Sequence, residues 1–334
     1  MAILTAPGLV TGTAYAAPTP EPGAKSLEQV REDIEDLYRE AGTATDAYNL
    51  AEGEATAQSD RIVEIAKQIV AGQERISSMK NRAGAAARAQ YRSGGLPPGA
   101  QLALSGSPTQ FLDGADRLRQ GEKATTDLLS DLNRTQDDLV RYAKEASEQW
   151  RKLEANRIKQ EDSKKRVEEK IKAAEELESK LEAEEKARLI QLEQQAQYKA
   201  QTAWLSSGAL KGVNGAATDA GKRAVQYATA QIGKPYVWGA EGPGSFDCSG
   251  LTSQAWLSTG RRIPRTSQEQ LRLLPKVAVK DMRPGDLIIY FDDASHVGMY
   301  VGDGAMIHAP RPGRNVTIAG AGSMPIKSVV RPDA

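Results

Sequence analysis

Cysteine, histidine and long apolar runs are scarce in this chain of 334 residues, which has one cysteine, two histidines and 44 residues each of basic and acidic type. A single thiol excludes an internal disulfide bond. The balanced charge gives no reason to expect nucleic acid as a partner. No run after the N-terminal segment approaches the ~18 apolar residues that a membrane span requires.

The three rare side chains, Cys248, His296 and His308, all lie in the last third of the chain. A lone thiol with two histidines is the material of a cysteine nucleophile and its base. Charged residues and alanine crowd the first two hundred positions instead. The composition therefore indicates a helical region followed by a globular domain of a different kind.

Residues 1–25 combine a short apolar stretch with the small-residue pattern Ala14-Tyr15-Ala16, followed by prolines at positions 18, 20 and 22. This pattern predicts the remnant of a secretory signal peptide and a Pro-rich segment. A disordered N-terminus is the alternative. Export also agrees with the single cysteine. Its thiol has no partner for an internal disulfide bond, so it must have a role other than a structural disulfide.

Apolar residues recur alternately three and four positions apart from Leu27 to Ala83, which is typical of a coiled coil. Glycines and prolines within residues 93–99 end this stripe. Gln58 and Gly72 interrupt it, so local bends are expected there. A second stripe comprises Phe111, Ala115, Leu118, Thr125, Leu129, Leu132, Leu139, Ala143, Ala146, Trp150 and Leu153.

The two stripes together predict an antiparallel coiled-coil hairpin over residues 26–205, with its tip at 92–110. The second helical region is longer than the first, and its surplus either lies beside the globular domain or extends as a single helix. Residues 206–217 are small and Gly-rich, the composition of a linker. The globular domain is therefore expected over residues 218–334.

Cys248 follows Asp247, a good N-cap residue, and precedes a helical pattern. In the first turn of a helix, the dipole and the unpaired N–H groups favour thiolate over thiol. The same N–H groups can receive an oxyanion. A buried cysteine acting as a small hydrophobe is the alternative, which the polar neighbours Asp247 and Ser249 disfavour.

The two histidines lie on either side of a predicted hairpin turn at residues 302–304. A three-residue loop pairs Gly298 with His308 and places both histidines on one face. A two-residue loop shifts the register and separates them. We expect the first. Two strand histidines without a function, or a zinc site completed by Asp303, are the alternatives; the zinc site is weaker because no fourth ligand is suggested.

Four ordered motifs in the globular domain resemble those of the NlpC family of papain-like cell-wall cysteine peptidases. They are Tyr236-Val237-Trp238-Gly239, Phe246-Asp247-Cys248-Ser249-Gly250-Leu251, Arg283-Pro284-Gly285-Asp286-Leu287, and the run from His296 to Gly302 followed by His308. The resemblance covers about residues 218–334 and implies an α+β fold, in which the nucleophile's helix packs on an antiparallel sheet. Ala240, where many members have a second glycine, is a small departure.

The resemblance assigns Cys248 the role of nucleophile, His296 that of base and His308 that of the polar group which orients His296. It assigns substrate binding to three further residues: Tyr236, whose hydroxyl is expected beside the cysteine, Asp247 and Ser249. No cofactor and no metal are implied. The family cleaves the peptidoglycan stem peptide, usually between D-γ-glutamate and the diamino acid, which implies a secreted, cell-wall-associated hydrolase.

Two other functions remain open from the sequence. The globular domain could bind peptidoglycan without cutting it, as part of an adaptor protein. The same scaffold could also serve an amidase or a transferase, because an amine can capture the acyl-enzyme in place of water.

The helical region resembles, more loosely, the N-terminal coiled coils of secreted division hydrolases of the PcsB type. The resemblance includes the run from Leu104 to Leu112 near the predicted tip. In that group the coiled coil docks on the membrane complex FtsE/FtsX and restrains the enzyme. The resemblance therefore implies a partner complex in the membrane and a regulatory role in cell division.

Overall fold

The computed structural model describes residues 25–92, 98–104, 107–211, 213 and 215–334. The expected signal remnant and Pro-rich segment lie outside the described residues, apart from Lys25. The chain divides into two compact units, one formed by residues 47–164 and the other by the residues up to Asp46 together with 165–334. Within the described residues, no helix is both long enough and apolar enough to span a membrane.

The unit of residues 47–164 contains most of two long helices, α1 (Leu27–Arg92) and α3 (Pro108–Ser179), with the short α2 (Pro98–Ala103) between them in sequence. Arg61 forms an ion pair with Glu145 at 2.6 Å, and Gly72 faces Leu139. As the residue number increases along α1, that of the contacting residue on α3 decreases. The two helices therefore run antiparallel, as predicted.

The two interruptions of the first stripe contribute contacts to this unit. A Cβ atom at Gly72 would lie 2.7 Å from Leu139 Cδ2, so glycine admits the leucine side chain at a close helix approach. Gln58 accepts a hydrogen bond of 3.2 Å from the Asn156 amide. A polar pair in a helical seam can fix the register of the two helices.

Three large apolar residues of the second stripe are exposed in the structure, although the seam of a coiled coil is expected to be buried. Their exposed fractions are 47% for Phe111, 56% for Leu129 and 54% for Trp150. A straight helix with 3.6 residues per turn drifts relative to a 3.5-residue repeat. A stripe of more than forty residues therefore does not keep every member against one partner.

The other unit includes the first part of α1, the end of α3 and the helix α4 (Ala183–Ser206). The predicted second helical region, expected to continue to about Leu205, is interrupted between Ser179 and Ala183. Glu182 caps α4 in a reciprocal capping box with Glu185, which satisfies backbone donors at the new helix start. The side chain of Gln201 donates to the carbonyl oxygen of Gly304 at 3.1 Å, so α4 lies beside the globular part.

The globular part contains the helices α5 (Asp219–Thr229), α6 (Cys248–Leu257) and α7 (Ser267–Leu273) and a six-stranded antiparallel sheet. The strands are β1 (Lys276–Val277), β2 (Leu287–Tyr290), β3 (His296–Gly302), β4 (Ala305–His308), β5 (Thr317–Gly320) and β6 (Ile326–Val330). Their order across the sheet is β1-β6-β2-β3-β4-β5. The predicted α+β class is confirmed.

Both faces of the central strand β2 are covered, which explains its uninterrupted apolar sequence. Leu287 and Ile289 pack in a cluster with Trp256 of α6. Ile288 and Tyr290 pack on the opposite face, where Trp204 of α4 joins the cluster. Burial on both sides holds α6, and with it Cys248, in a fixed position against the sheet.

Candidate active site

Cys248 is the first residue of α6, as the sequence predicts. The Asp247 side chain caps the helix by accepting a hydrogen bond of 2.6 Å from the backbone N–H of Gly250. Gly250 is required for a close approach, because a Cβ atom at this position would collide with the carbonyl oxygen of Ala240. The segment that follows Trp238 is thereby packed against the helix start.

The hairpin that carries the two histidines has a shorter loop than predicted, but both histidines still lie on one face of the sheet. Gly302 pairs with Ala305, so the loop contains two residues, Asp303 and Gly304, instead of three. Both have positive φ angles, 51° and 73°, as a tight hairpin turn requires. A bulge at Val301 then restores the register expected for the longer loop.

Because of this bulge, the two histidine side chains meet on one face of the sheet. Nε2 of His296 lies 2.8 Å from Nδ1 of His308, within hydrogen-bond distance. The two rings are nearly perpendicular, with an interplanar angle of 79°. A proton on Nε2 of His296 would donate to His308 and leave Nδ1 of His296 free to accept another proton.

Burial governs the protonation of the three side chains. The pKa of the Cys248 thiol is raised well above its usual range, first by desolvation and then by the carboxyl groups of Asp46 and Asp247. Desolvation lowers the pKa of His296 to about 4. It also lowers the pKa of His308, to which the charge of His296 contributes. Burial and the two carboxyl groups thus favour the neutral thiol and oppose the thiolate that the sequence predicts at a helix start.

The three predicted substrate-binding residues surround the start of α6. Tyr236 is buried, and the desolvated hydroxyl has a pKa raised well above its usual range, with the charge of Cys248 as the second cause. Asp247 receives hydrogen bonds of 2.7 and 3.0 Å from the two terminal nitrogens of Arg265. The same guanidinium donates to the Ser249 hydroxyl at 3.0 Å.

Sequence reasoning missed Arg265, which connects two of the predicted binding residues. Arg265 lies in the loop before α7 and also pairs with Glu241 at 2.7 Å. No local pattern distinguishes it from the other arginines, because its partners are distant in sequence and meet it only in the folded chain.

The sequence also did not indicate that part of α1 contacts this site. The Ser249 hydroxyl donates to the Asp46 carboxyl at 3.4 Å, and the Ser267 hydroxyl hydrogen-bonds the other oxygen of the same group. One turn earlier, a Cβ atom at Gly42 would lie 3.0 Å from the carbonyl oxygen of Ser295. The Thr43 hydroxyl is 3.3 Å from Asp293. These α1 residues share one helical face, because they are spaced three and four apart.

A cavity of about 1010 Å³ adjoins the catalytic candidates. Cys248, His296 and His308 line it together with Tyr236. Residues of α1 and α4 line the same cavity. Cys248 itself is only 6% exposed. Among the described residues, no group of three or more His, Cys, Asp or Glu side chains is arranged to hold a metal ion.

The family model described as NlpC/P60 family matches residues 233–330. A probable endopeptidase of Corynebacterium glutamicum is 44% identical over 115 residues, which cover 34% of this chain and 55% of that protein. A probable endopeptidase of Mycobacterium tuberculosis is 46% identical over 85 residues, which cover 25% of this chain and 22% of that protein. The chain thus spans about half or less of the length of these curated relatives.

Two solved structures are similar to about a third of this chain. The NlpC/p60 domain of the peptidoglycan hydrolase SagA is 35% identical and covers 33% of this chain and 97% of its own, with a TM-score of 0.32. A hypothetical invasion protein of Mycobacterium tuberculosis is 34% identical over 34% of this chain and 62% of its own, with a TM-score of 0.31. The family match and the ordered sequence motifs together show that residues 233–330 of this chain form a domain of the NlpC/P60 family.

Proposed function

We propose that the protein is a cysteine endopeptidase that cleaves peptidoglycan stem peptides at the bond between D-γ-glutamate and the diamino acid. The observation that carries this proposal is the hydrogen-bonded pair His296–His308, which lines one cavity with a cysteine at a helix start, inside an NlpC/P60 domain. The names of the relatives as endopeptidases and of SagA as a peptidoglycan hydrolase support it.

In the proposed mechanism, Nδ1 of His296 takes the thiol proton of Cys248, and the thiolate attacks the γ-carbonyl carbon. The first N–H groups of α6 stabilise the oxyanion. Protonated His296 then gives the proton to the leaving amine, which leaves a thioester on Cys248. Water, deprotonated by His296, hydrolyses the thioester and restores the thiol. Nδ1 of His308 accepts a hydrogen bond from Nε2–H of His296 and keeps the ring in this orientation.

Mass spectrometry of the products from purified cell wall tests this function against its alternatives. The proposal expects a new free amino group on the diamino acid and a free γ-carboxyl group on D-glutamate. A product in which another amine is joined to the glutamate would indicate a transferase. Binding to cell wall without any new peptide would indicate the adaptor.

His308→Ala is expected to lower kcat about 100-fold while leaving the fold intact, because the ring of His296 loses the partner that orients it. His308→Gln is the matched control: its side-chain oxygen can accept the same hydrogen bond, so it should retain more activity. The measurement is the rate of peptide release together with the thermal unfolding midpoint. An unfolded His308→Ala protein would instead assign the residue a structural role.

We also propose that α1 restrains the enzyme. The support is its face of Arg39, Gly42, Thr43 and Asp46, which lies against residues that surround Cys248. Removal of Asp46 from the site would take away one of the two carboxyl groups that raise the pKa of the thiol. The thiolate required for catalysis would then form more easily.

We propose in addition that the protein is exported, acts at the cell wall in cell division, and docks on a membrane complex of the FtsE/FtsX type. Three exposed apolar residues near the predicted tip support a docking role: Leu104, Phe111 and Leu112, with exposed fractions of 76%, 47% and 64%. Co-purification of that complex with the full chain, and its loss in a Leu112→Asp variant, would test this docking.

The proposed restraint has a predictable pH dependence through Asp46. The pKa of this carboxyl is raised from 3.8 to about 7: burial is the main cause and neighbouring Asp247 adds to it, while Ser267, Arg265 and Ser249 oppose the rise. When α1 leaves the site, the pKa returns toward 3.8. Protonated Asp46 therefore stabilises the arrangement in which α1 lies against the site. This stabilisation is fully present below about pH 4, is lost as the pH rises to about 7, and stays low above it.

The measurement is the reaction of Cys248 with a pyridyl disulfide between pH 4 and pH 8, compared with an Asp46→Asn variant. The amide cannot ionise but keeps a donor and an acceptor for Ser249 and Ser267. The rate for the native chain relative to this variant should rise about tenfold or more over the interval. Identical pH profiles of the two proteins would show that Asp46 is not the cause of the pH dependence.

A further inference from the structure

Two arginines after β4, Arg311 and Arg314, converge on one carboxylate. Arg311 donates to Glu193 of α4 at 2.6 Å, and Arg314 donates to the other oxygen of the same carboxylate at 3.0 Å. A second carboxylate, that of Glu178 at the end of α3, accepts from Arg311 at 3.1 Å. The Arg311 guanidinium also lies 4.4 Å from the centre of the Tyr38 ring, which holds it in place.

These arginines belong to the wall of the catalytic cavity. Arg311 and Arg314 line the same cavity as Cys248 and His308. The connection is short, because Arg311 lies three residues after His308, at the end of β4. The Arg311 side chain is only 16% exposed, so its charge is largely removed from water. A partly buried arginine pair requires negative partners, and here helices outside the sheet domain provide them.

We propose that Arg311 and Arg314 form a carboxylate-binding subsite for the peptide substrate, and that Glu193 and Glu178 occupy it as internal stand-ins. This inference rests on the proposed endopeptidase function. Arg311 and Arg314 each donate one charge-assisted hydrogen bond to a different oxygen of Glu193, so the two arginines together hold one carboxylate, and a peptide carboxylate would bind in the same way. Stem peptides carry such groups on the diamino acid and at the C-terminus.

Glu193 of α4 and a carboxylate of the substrate would compete for the same two arginines. A peptide carboxylate that reaches Arg311 and Arg314 must displace Glu193, because each guanidinium has a limited number of donors in its fork. Substrate binding and the release of α4 are therefore coupled by mutual exclusion. A peptide whose carboxylates are amidated cannot compete for the arginines in this way, so the subsite discriminates between the two forms.

The test uses the full chain and two peptides of sequence L-Ala-γ-D-Glu-diaminopimelate-D-Ala. One has free carboxylates beyond the scissile bond, and the other has carboxamides there. Glu178→Gln/Glu193→Gln removes both negative charges from the proposed subsite and leaves neutral side chains that a peptide carboxylate displaces more easily. This variant should prefer the free peptide in kcat/KM by about tenfold or more, because hydrogen bonds between two charged groups are the strong ones. Adding Arg311→Gln/Arg314→Gln should abolish the preference, mainly through KM.

Arg272→Gln, added to the same background, is the matched control: this arginine is exposed and pairs with Glu269 on its own helix α7. It should leave the preference unchanged. If the arginines only anchor the helices, the preference will be the same with and without them, and the proposal is wrong.

The binding of both peptides to Cys248→Ala forms of these proteins, measured by calorimetry, distinguishes a failure of the subsite from a failure of the proposed activity. An absence of cleavage by every variant with Cys248 intact would refute the proposed activity. An arginine-dependent binding preference would still support the subsite, whereas equal affinities for the two peptides would refute it.

Discussion

Replacing Cys248 with alanine is expected to lower the hydrolysis of stem peptides by roughly four to six orders of magnitude. The proposed reaction passes through a thioester on this sulfur, and the chain has no second cysteine that could replace it. The residual rate would come from the N–H groups of α6 and from substrate binding, which alone accelerate the reaction only modestly. Peptide release from purified cell wall, followed by liquid chromatography, measures the effect.

The fold of this variant should be retained, because alanine at the first position of α6 leaves the Asp247 cap intact. Circular dichroism and the thermal unfolding midpoint provide the control. A Cys248→Ser protein should also be almost inactive, since a hydroxyl has a far higher pKa than a thiol. An alanine variant that still cleaves within tenfold of the native rate would rule out the nucleophile and with it the proposed mechanism.

Gly42→Leu is expected to activate the full chain roughly 10- to 100-fold, if α1 restrains the enzyme as proposed. Any side chain at this position enters the space of the Ser295 carbonyl group, which a Cβ atom alone would approach to 3.0 Å. Overpacking of this kind costs about 1–3 kcal/mol. That penalty falls only on the arrangement in which α1 lies against the site, so it shifts the equilibrium toward an accessible Cys248.

Gly53→Leu is the matched control, because a Cβ atom at Gly53 has no neighbour within 4 Å. Both substitutions replace a glycine in α1 and favour the helix equally, so only the contact with Ser295 separates them. The rates of Cys248 alkylation and of peptide release should both increase in Gly42→Leu. In Gly53→Leu both rates should equal those of the native chain. Equal rates in all three proteins would remove the restraining role of α1.

The sequence predicted correctly those features that depend on neighbours in the chain. The three- and four-residue spacing predicted the long helices α1 and α3, and the Asp247 cap predicted a helix beginning at Cys248. The ordered motifs identified the NlpC domain. The catalytic roles of Cys248, His296 and His308 stay predictions, although the structure brings the two histidines together as expected.

The histidine hairpin shows where local reasoning fails. The loop length was wrong, and by the rule for two-residue loops the histidines would have been separated. The bulge at Val301 adds a residue to one strand and cancels the shift. A bulge depends on how a strand packs against the rest of the sheet, which the sequence of the hairpin alone does not reveal.

The sequence by itself thus determined the helices, the fold class, the family and the candidate nucleophile with its histidines, because each depends on short-range pattern or on ordered motifs. Only the tertiary structure decided the surroundings of that site: Arg265 on Asp247, Asp46 beside Ser249, and Glu193 on Arg311. The physical reason is that these pairs are formed by residues distant in sequence. Single charged residues carry no periodic signal, and their partners are selected only when the chain has folded.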